Sequence, residues 1–330
     1  MKRFLFVMTG VAAIVASTRS HAQSIDSRCP AGTAAQRAAQ DACQKALDLF
    51  TVISPQLGMA IVGGNAVAGE HSTLGGLGHV SVGVRANVLR ARVPQIQTPL
   101  PLTTGAVQTT YAVKDVVVPV PVLDAAIGLF KGIPVGAGYI LGIDGLVNVS
   151  YLPEVSESDL TVTLPDGSVK LGFGARVAVL EESIITPGIV VTYLRRDLPR
   201  VSVVAEPGGD EIRVDDIDVA TTAWRAVIGK RLGFVGVSVG AGQDKLETAA
   251  TARVSGTRVG QLYSAGPIRA AQDLTRDNYF ANLSLNFPLV RLVAEVGRAS
   301  GGTLATYNAF GTTRADDALD YASLAIRFRW

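Results

Sequence analysis

The sequence predicts an all-β chain, a transmembrane antiparallel β-barrel of about twelve strands within a range of about ten to fourteen, preceded by a short helical plug or extension. Three observations predict it. The last eleven residues, Asp320 to Trp330, alternate with period two, so that Ala322, Leu324, Ile326, Phe328 and Trp330 share one face and Ser323, Arg327 and Arg329 the other. Five further segments have the same two-faced character, among them Val80 to Val88, Val169 to Val179, Val235 to Val239, Ala281 to Phe287 and Val290 to Val296. The composition is 48% hydrophobic with 35 glycines yet only 18% charged, as expected when strands face lipid.

The terminal strand carries a resemblance. With an aromatic Trp330 at the end and Phe328, Ile326 and Leu324 at every second position before it, it resembles the closing signature of Gram-negative outer-membrane β-barrels. The resemblance implies outer-membrane lipid as surroundings and the barrel-assembly machinery as a partner. Two solvents are then available to the strand, lipid outside and a polar lumen inside.

Residues 1–22 read as a cleaved signal peptide: Lys2 and Arg3 precede an apolar run from Phe4 to Ala16, and Ser20-His21-Ala22 supplies a small-x-small cleavage site. Thirteen apolar-rich residues are short of the roughly 20 that a spanning helix needs. Removal of this segment takes away Lys2, Arg3 and Arg19 and no acid, which turns the formal charge of +2 into −1. A near-neutral mature chain gives no reason to expect nucleic acid as a partner.

Residues 23–56 form the helical segment. Thr33 is positioned as a cap, and Ala, Leu and Phe recur at three and four through Phe50. Its two cysteines, Cys29 and Cys43, are expected to form a disulfide in an exported protein. A continuous helix would hold them about 21 Å apart, so Cys29-Pro30-Ala31-Gly32 must fold back along the helix to bring their Cα atoms within about 7 Å. The apolar stripe Ala42, Ala46, Leu49 and Phe50 needs a surface, which points to docking in the lumen or at the periplasmic mouth.

Residues 57–330 form the barrel. Candidate strands lie near 78–92, 106–119, 134–143, 145–152, 158–164, 168–180, 187–204, 212–229, 233–254, 277–287, 289–300 and 320–330. Asp144-Gly145 and Asp166-Gly167 read as two-residue hairpin turns. Counting back from Trp330 puts Glu181 to Gly188, Lys230 to Gly233 and Phe287 to Leu289 on the periplasmic side. Ala205 to Glu211, Ser255 to Arg276 and Ala299 to Leu319 become outer loops. The prolines between Val93 and Pro134 argue against a regular strand there, and Leu123 to Lys131 reads as a short helix; the region is either a second plug or cap element or an irregular connection at the periplasmic rim.

The chemistry legible in the chain is sparse. His71 and His79 lie in a glycine-rich approach to the first strand without a nucleophile elbow or a metal-ligand cluster, so neither an enzyme nor a metal or cofactor site is expected. The acidic stretch Glu206 to Asp218 lacks the spacing of a calcium loop and reads as a solvated hairpin. The suggestive polar row is inward: Arg85, Arg176, Arg225, Arg291, Arg327 and Arg329, with Glu295 as a partner. Such groups either tune a pore or pair with acids and fill a narrow barrel. The expected function is passage of a small or apolar solute past an N-terminal plug, with a non-conducting structural or surface-interaction barrel as the alternative.

Overall fold

The computed structural model describes residues 24–330 except 96–100, 137, 153, 158–159, 207–208 and 259; the expected signal peptide lies outside the described residues. One helix, α1 (Ala34–Val62), precedes ten strands that close a barrel. These are β1 (Val80–Pro94), β2 (Val113–Phe130), β3 (Gly142–Tyr151), β4 (Val169–Leu180), β5 (Gly188–Asp197), β6 (Glu211–Leu232), β7 (Val235–Arg258), β8 (Gln261–Asn286), β9 (Val290–Ala299) and β10 (Leu319–Arg329). Each pairs antiparallel with its neighbours in sequence, and β1 closes the sheet on β10, with Val84 opposite Ile326. The barrel thus has ten strands, the lower end of the expected range, where about twelve were counted.

Most of the difference lies between residues 95 and 168. Leu123 to Lys131 is not a helix: it continues β2, with Leu123, Ile127 and Leu129 exposed on the outer face. Pro119 and Pro121 are tolerated because β3 first pairs with β2 at Val122, so both prolines lie on a stretch paired on one side only. Asp144-Gly145 is not a turn but an internal step of β3, while Ile133–Val135 and Gly138–Ile140 form a small separate hairpin. The candidate strand at 158–164 is not a barrel stave. Its Leu160–Thr163 belongs to an outer sheet described below.

The outward faces locate the membrane. On β8, Phe287, Leu285, Leu283 and Tyr279 point outward and are exposed; the next outward positions on the same face are Asp277, Thr275 and Asp273. On β7, Val239 and Val237 give way to Lys245 and Glu247, and on β6, Ile228 and Trp224 give way to Thr222. Tyr193, Trp224 and Tyr279 mark one edge of the apolar band, and Phe130, Phe234, Phe287 and Trp330 the other. From Phe287 to Tyr279 the strand covers about 26 Å along its own axis, which suits a thin outer membrane once tilt is included. Among the described residues no stretch of exposed backbone edge crosses this band, because the sheet is closed.

Three links at the Trp330 end are brief, at Gly233-Phe234, Phe287 to Leu289 and Glu181 to Pro187, which makes it the periplasmic side. At the other end β6, β7 and β8 rise well past their neighbours. Residues 255–276, expected as a loop, are instead the outer ends of β7 and β8, paired as far as Arg258 with Gln261. Val201–Ala205, Leu160–Thr163 and Val155–Glu157 add in turn to the upper part of β6. The result is a curved outer sheet, a crown standing on one side of the barrel.

Helix α1 is capped by Thr33 and Gln36, each side chain serving the other's backbone. It continues twelve residues beyond Phe50, through Pro55, and at 29 residues is about 44 Å long. That length covers the crown and carries the helix end into the barrel. Its amino-terminal half lies against Leu152, Leu164, Val203, Ile212, Val254 and Tyr263 of the crown, and its carboxyl half fills the barrel. Alanines let an object about 10–12 Å wide pass inside ten strands. Gly58 shows how close the fit is, since a Cβ there would meet Leu246 Cδ2 at 2.0 Å.

A folded closed barrel resists dissociation by detergent until heated. Purified protein loaded unheated in SDS is expected to migrate as a compact species and to shift on boiling; a single mobility at all temperatures would contradict the closed sheet.

Candidate functional site

Helix α1 ends inside the barrel, and its last carbonyls have no helical partners. The helix itself has no basic residue in its final turn. The wall supplies three. Arg196 Nη1 donates to the carbonyls of Ile61 (2.8 Å) and Val62 (3.3 Å), Arg225 Nη2 to Val62 (2.6 Å), and Arg85 Nη1 to Gly63 (2.9 Å). Asn87 Nδ2 reaches the Ala60 carbonyl at 3.4 Å, and Gly63 N–H closes on Met59 at 2.8 Å. Each carbonyl from Met59 to Gly63 is therefore satisfied, and the negative end of the helix dipole faces three cations. Arg85 is also paired with Asp124 (2.8 Å) and Arg225 with Asp244 (3.4 Å); Arg196 has no carboxylate within 4 Å among the described residues.

Beyond the helix, residues 63–79 descend to the periplasmic mouth and turn into β1. Asn65 N–H is held by Glu295 (2.9 Å). Glu70 is the hub of a second layer, 2.6 Å from Arg176, 3.4 Å from Arg291 and 3.8 Å from Arg327. Arg176 also pairs with Asp144, whose carboxylate accepts the Leu74 N–H at 3.1 Å. Wall arginines hold the segment's backbone as well: Arg327 bonds the Ala66 carbonyl, Arg291 that of Gly69 (3.2 Å) and Arg329 that of Leu74 (3.0 Å). At the rim, His71 Nε2 lies 2.8 Å from Glu182. Burial pushes the His71 imidazole below its ordinary value, against the opposing pull of the Glu182 carboxylate. His79 is exposed.

At the outer end, Cys29 and Cys43 are bridged, with Cα atoms 5.6 Å apart. Asp41 accepts from Lys45 (2.7 Å) and from Leu102 N–H (2.8 Å), and Asp48 accepts from Asn308 N–H (2.9 Å) and its Nδ2 (2.7 Å). The connections between β1 and β2 and between β9 and β10 are thereby tied to the helix on the side that the crown leaves open, where Tyr111 stacks on Phe310 at 5.4 Å. The first of these connections thus sits at the outer mouth, not at the periplasmic rim. The chain enters at the outer end and descends. The amino-terminal side of α1 faces outward, opposite to docking at the periplasmic mouth.

The sequence row Arg85, Arg176, Arg225, Arg291, Arg327, Arg329 and Glu295 thus lies on the wall facing the lumen segment, and every member bonds or pairs with that segment. Arg196, Asp124, Asp144, Asp244 and Glu70 complete the two layers and were not singled out. Strand parity identifies Arg196 and Asp244, which fall in step with Thr192 and Ser238. Asp124 and Asp144 were hidden by the mistaken helix and turn.

With a closed sheet, an apolar outward band bordered by aromatics and a charged, paired interior, the surroundings are decided. The protein is an outer-membrane β-barrel. No family model matches the sequence, and no curated protein does. Among solved structures it is similar to the translocator domain of the autotransporter NalP from Neisseria meningitidis, at 10% identity over 77% of this chain and 89% of that one, TM-score 0.41. It is similar also to the transport unit of the autotransporter AIDA-I from Escherichia coli (7%, 86% and 98%, TM-score 0.37) and to Ail, the attachment invasion locus protein of Yersinia pestis (8%, 77% and 99%, TM-score 0.30). These are likenesses of fold alone.

Removing Glu70 takes a shared carboxylate from the buried Arg176 and Arg327 and the half-buried Arg291, whereas removing Asp320 breaks only an exposed pair with Arg298 at 3.1 Å. Glu70→Ala is expected to cost about 3–5 kcal/mol of barrel stability and Asp320→Ala less than about 1 kcal/mol. Urea unfolding of the protein in lipid vesicles measures both; equal costs would show that the buried layer contributes nothing special.

Proposed function

We propose that this chain is a closed barrel that works at the cell surface, presenting the crown and the disulfide-bridged start of α1 to a macromolecular partner outside. One observation carries the reading: helix α1 and the segment 63–79 that follows it occupy the lumen from crown to inner mouth, with the terminal carbonyls of the helix bonded to the wall. An ion or solute crossing this barrel has to displace that helix and the arginines that hold it. The outward crown face supports a role in contact with water. It alternates charge and threonine, with Arg213, Asp215, Lys245, Glu247, Arg253, Asp273 and Thr275 above the apolar band. Catalysis is no part of this reading.

A second reading is favoured by the space at the periplasmic mouth, where two adjoining cavities of about 250 and 340 Å³ surround Glu70. In it the same fold is a plugged transporter for small or apolar solutes, and the lumen segment moves during passage. Loss of the Glu70 layer alone does not free the helix, which the arginine layer above still holds. The surface reading therefore stands first.

The first reading places the start of the helical segment outside the cell. An epitope inserted between Gln23 and Ser24 is expected to bind antibody on intact cells. Binding only after the outer membrane is permeabilised would put that end in the periplasm and overturn the display role.

A further inference from the structure

The cavity of about 340 Å³ at the inner mouth lies under the turn between β8 and β9 and has an unbalanced lining. Arg231, Arg291, Arg327 and Arg329 face it, against the single carboxylate of Glu70. That carboxylate is already within 4 Å of Arg176, Arg291 and Arg327. The guanidinium groups of Arg231 and Arg329 have no carboxylate within 4 Å among the described residues; Glu182 is met by the Arg231 backbone N–H, at 2.6 Å, and Arg329 bonds the Leu74 carbonyl. Arg327 is 2% exposed, and its Nε has no hydrogen-bond partner there. Four guanidinium groups gathered beside a low-dielectric wall repel one another, and an anion between them relieves that repulsion. Their planar forks suit a phosphate oxygen pair.

A second observation indicates where such a group comes from. On the lipid face of β8, β9, β10 and β1, within a few residues of the same turn, an apolar groove of about 490 Å³ is lined by Leu283, Leu285, Leu292, Leu324, Ile326 and Ala86. Phe287, Leu289 and Trp330 are exposed at the rim between groove and cavity. We propose that the inner mouth binds the phosphate group of an anionic phospholipid of the inner leaflet, with an acyl chain lying in the groove. This site is at the opposite end from the surface role and does not depend on it.

The test uses the full-length protein in detergent, native mass spectrometry with phosphatidylglycerol as the lipid probe, and calorimetry with inorganic phosphate. Arg231→Gln and Arg329→Gln remove the two arginines that lack acids, and Arg298→Gln on the outer rim is the control. Retained heat-dependent mobility shows that each variant is folded. One phosphatidylglycerol is expected to stay bound to the wild type and to the control, with binding about tenfold weaker for each inner arginine removed, the worth of one charge-assisted hydrogen bond. Arginine-dependent binding of inorganic phosphate with no retained lipid would keep the anion site and reassign its source to the free ion. Failure of both probes to bind, or binding unchanged in the double variant, would overturn the proposal.

Discussion

A helix that ends where no bulk water reaches must find partners for its last carbonyls in the protein around it. In this barrel those partners are Arg85, Arg196 and Arg225, contributed by three different strands. The rest of the interior follows. Three cations on one level require Asp124 and Asp244 as counter-charges, and the helix dipole stands in for the third. Below them, the chain can return to β1 only by passing more inward arginines, and Glu70 neutralises that second layer. The inward polar row is thus the complement of one buried polypeptide segment.

The same constraint sets the shape of the molecule. A helix of 29 residues is longer than the membrane band, so its outer half needs cover. The long β6, β7 and β8 provide it on one side, and the connections after β1 and β9, tied down by Asp41 and Asp48, provide it on the other. The disulfide between Cys29 and Cys43 fixes the segment before the helix against its first turns. Cover over the outer mouth and closure of the lumen are therefore two consequences of one packed element.

The terminal strand and the simple staves were legible because there the two environments of a barrel wall, lipid and a polar interior, act in turn on successive residues. Legibility failed where protein replaces one of those environments. Ala126 and Gly128 point inward on β2 but are small and apolar, Ala126 packing with Ala66, Val67 and Leu74 of the lumen segment, so Leu123 to Lys131 lost its alternation and read as a helix. On β7 and β8 above the membrane the pattern inverts. Ala270 and Leu274 face inward while Asp273 and Thr275 face water, and residues 255–276 read as a loop. Asp144 was taken for a turn residue because Asp-Gly is a hairpin signature; its buried pairing with Arg176 involves a partner 32 residues away, which local pattern cannot supply. The inward arginines were visible by parity. That they grip the chain's own helix end was not, since nothing in α1 reveals which strands surround it.

The arginine-clamped helix fills the lumen and closes the barrel. Single-channel recording in planar bilayers tests this closure most directly, comparing the intact protein with a form lacking residues 23–62, which removes the clamped helix end as well as its outer half. The intact protein is expected to give no steady ion conductance and the truncated barrel to open. A stable open conductance from the intact protein, equal to that of the truncated form, would contradict it.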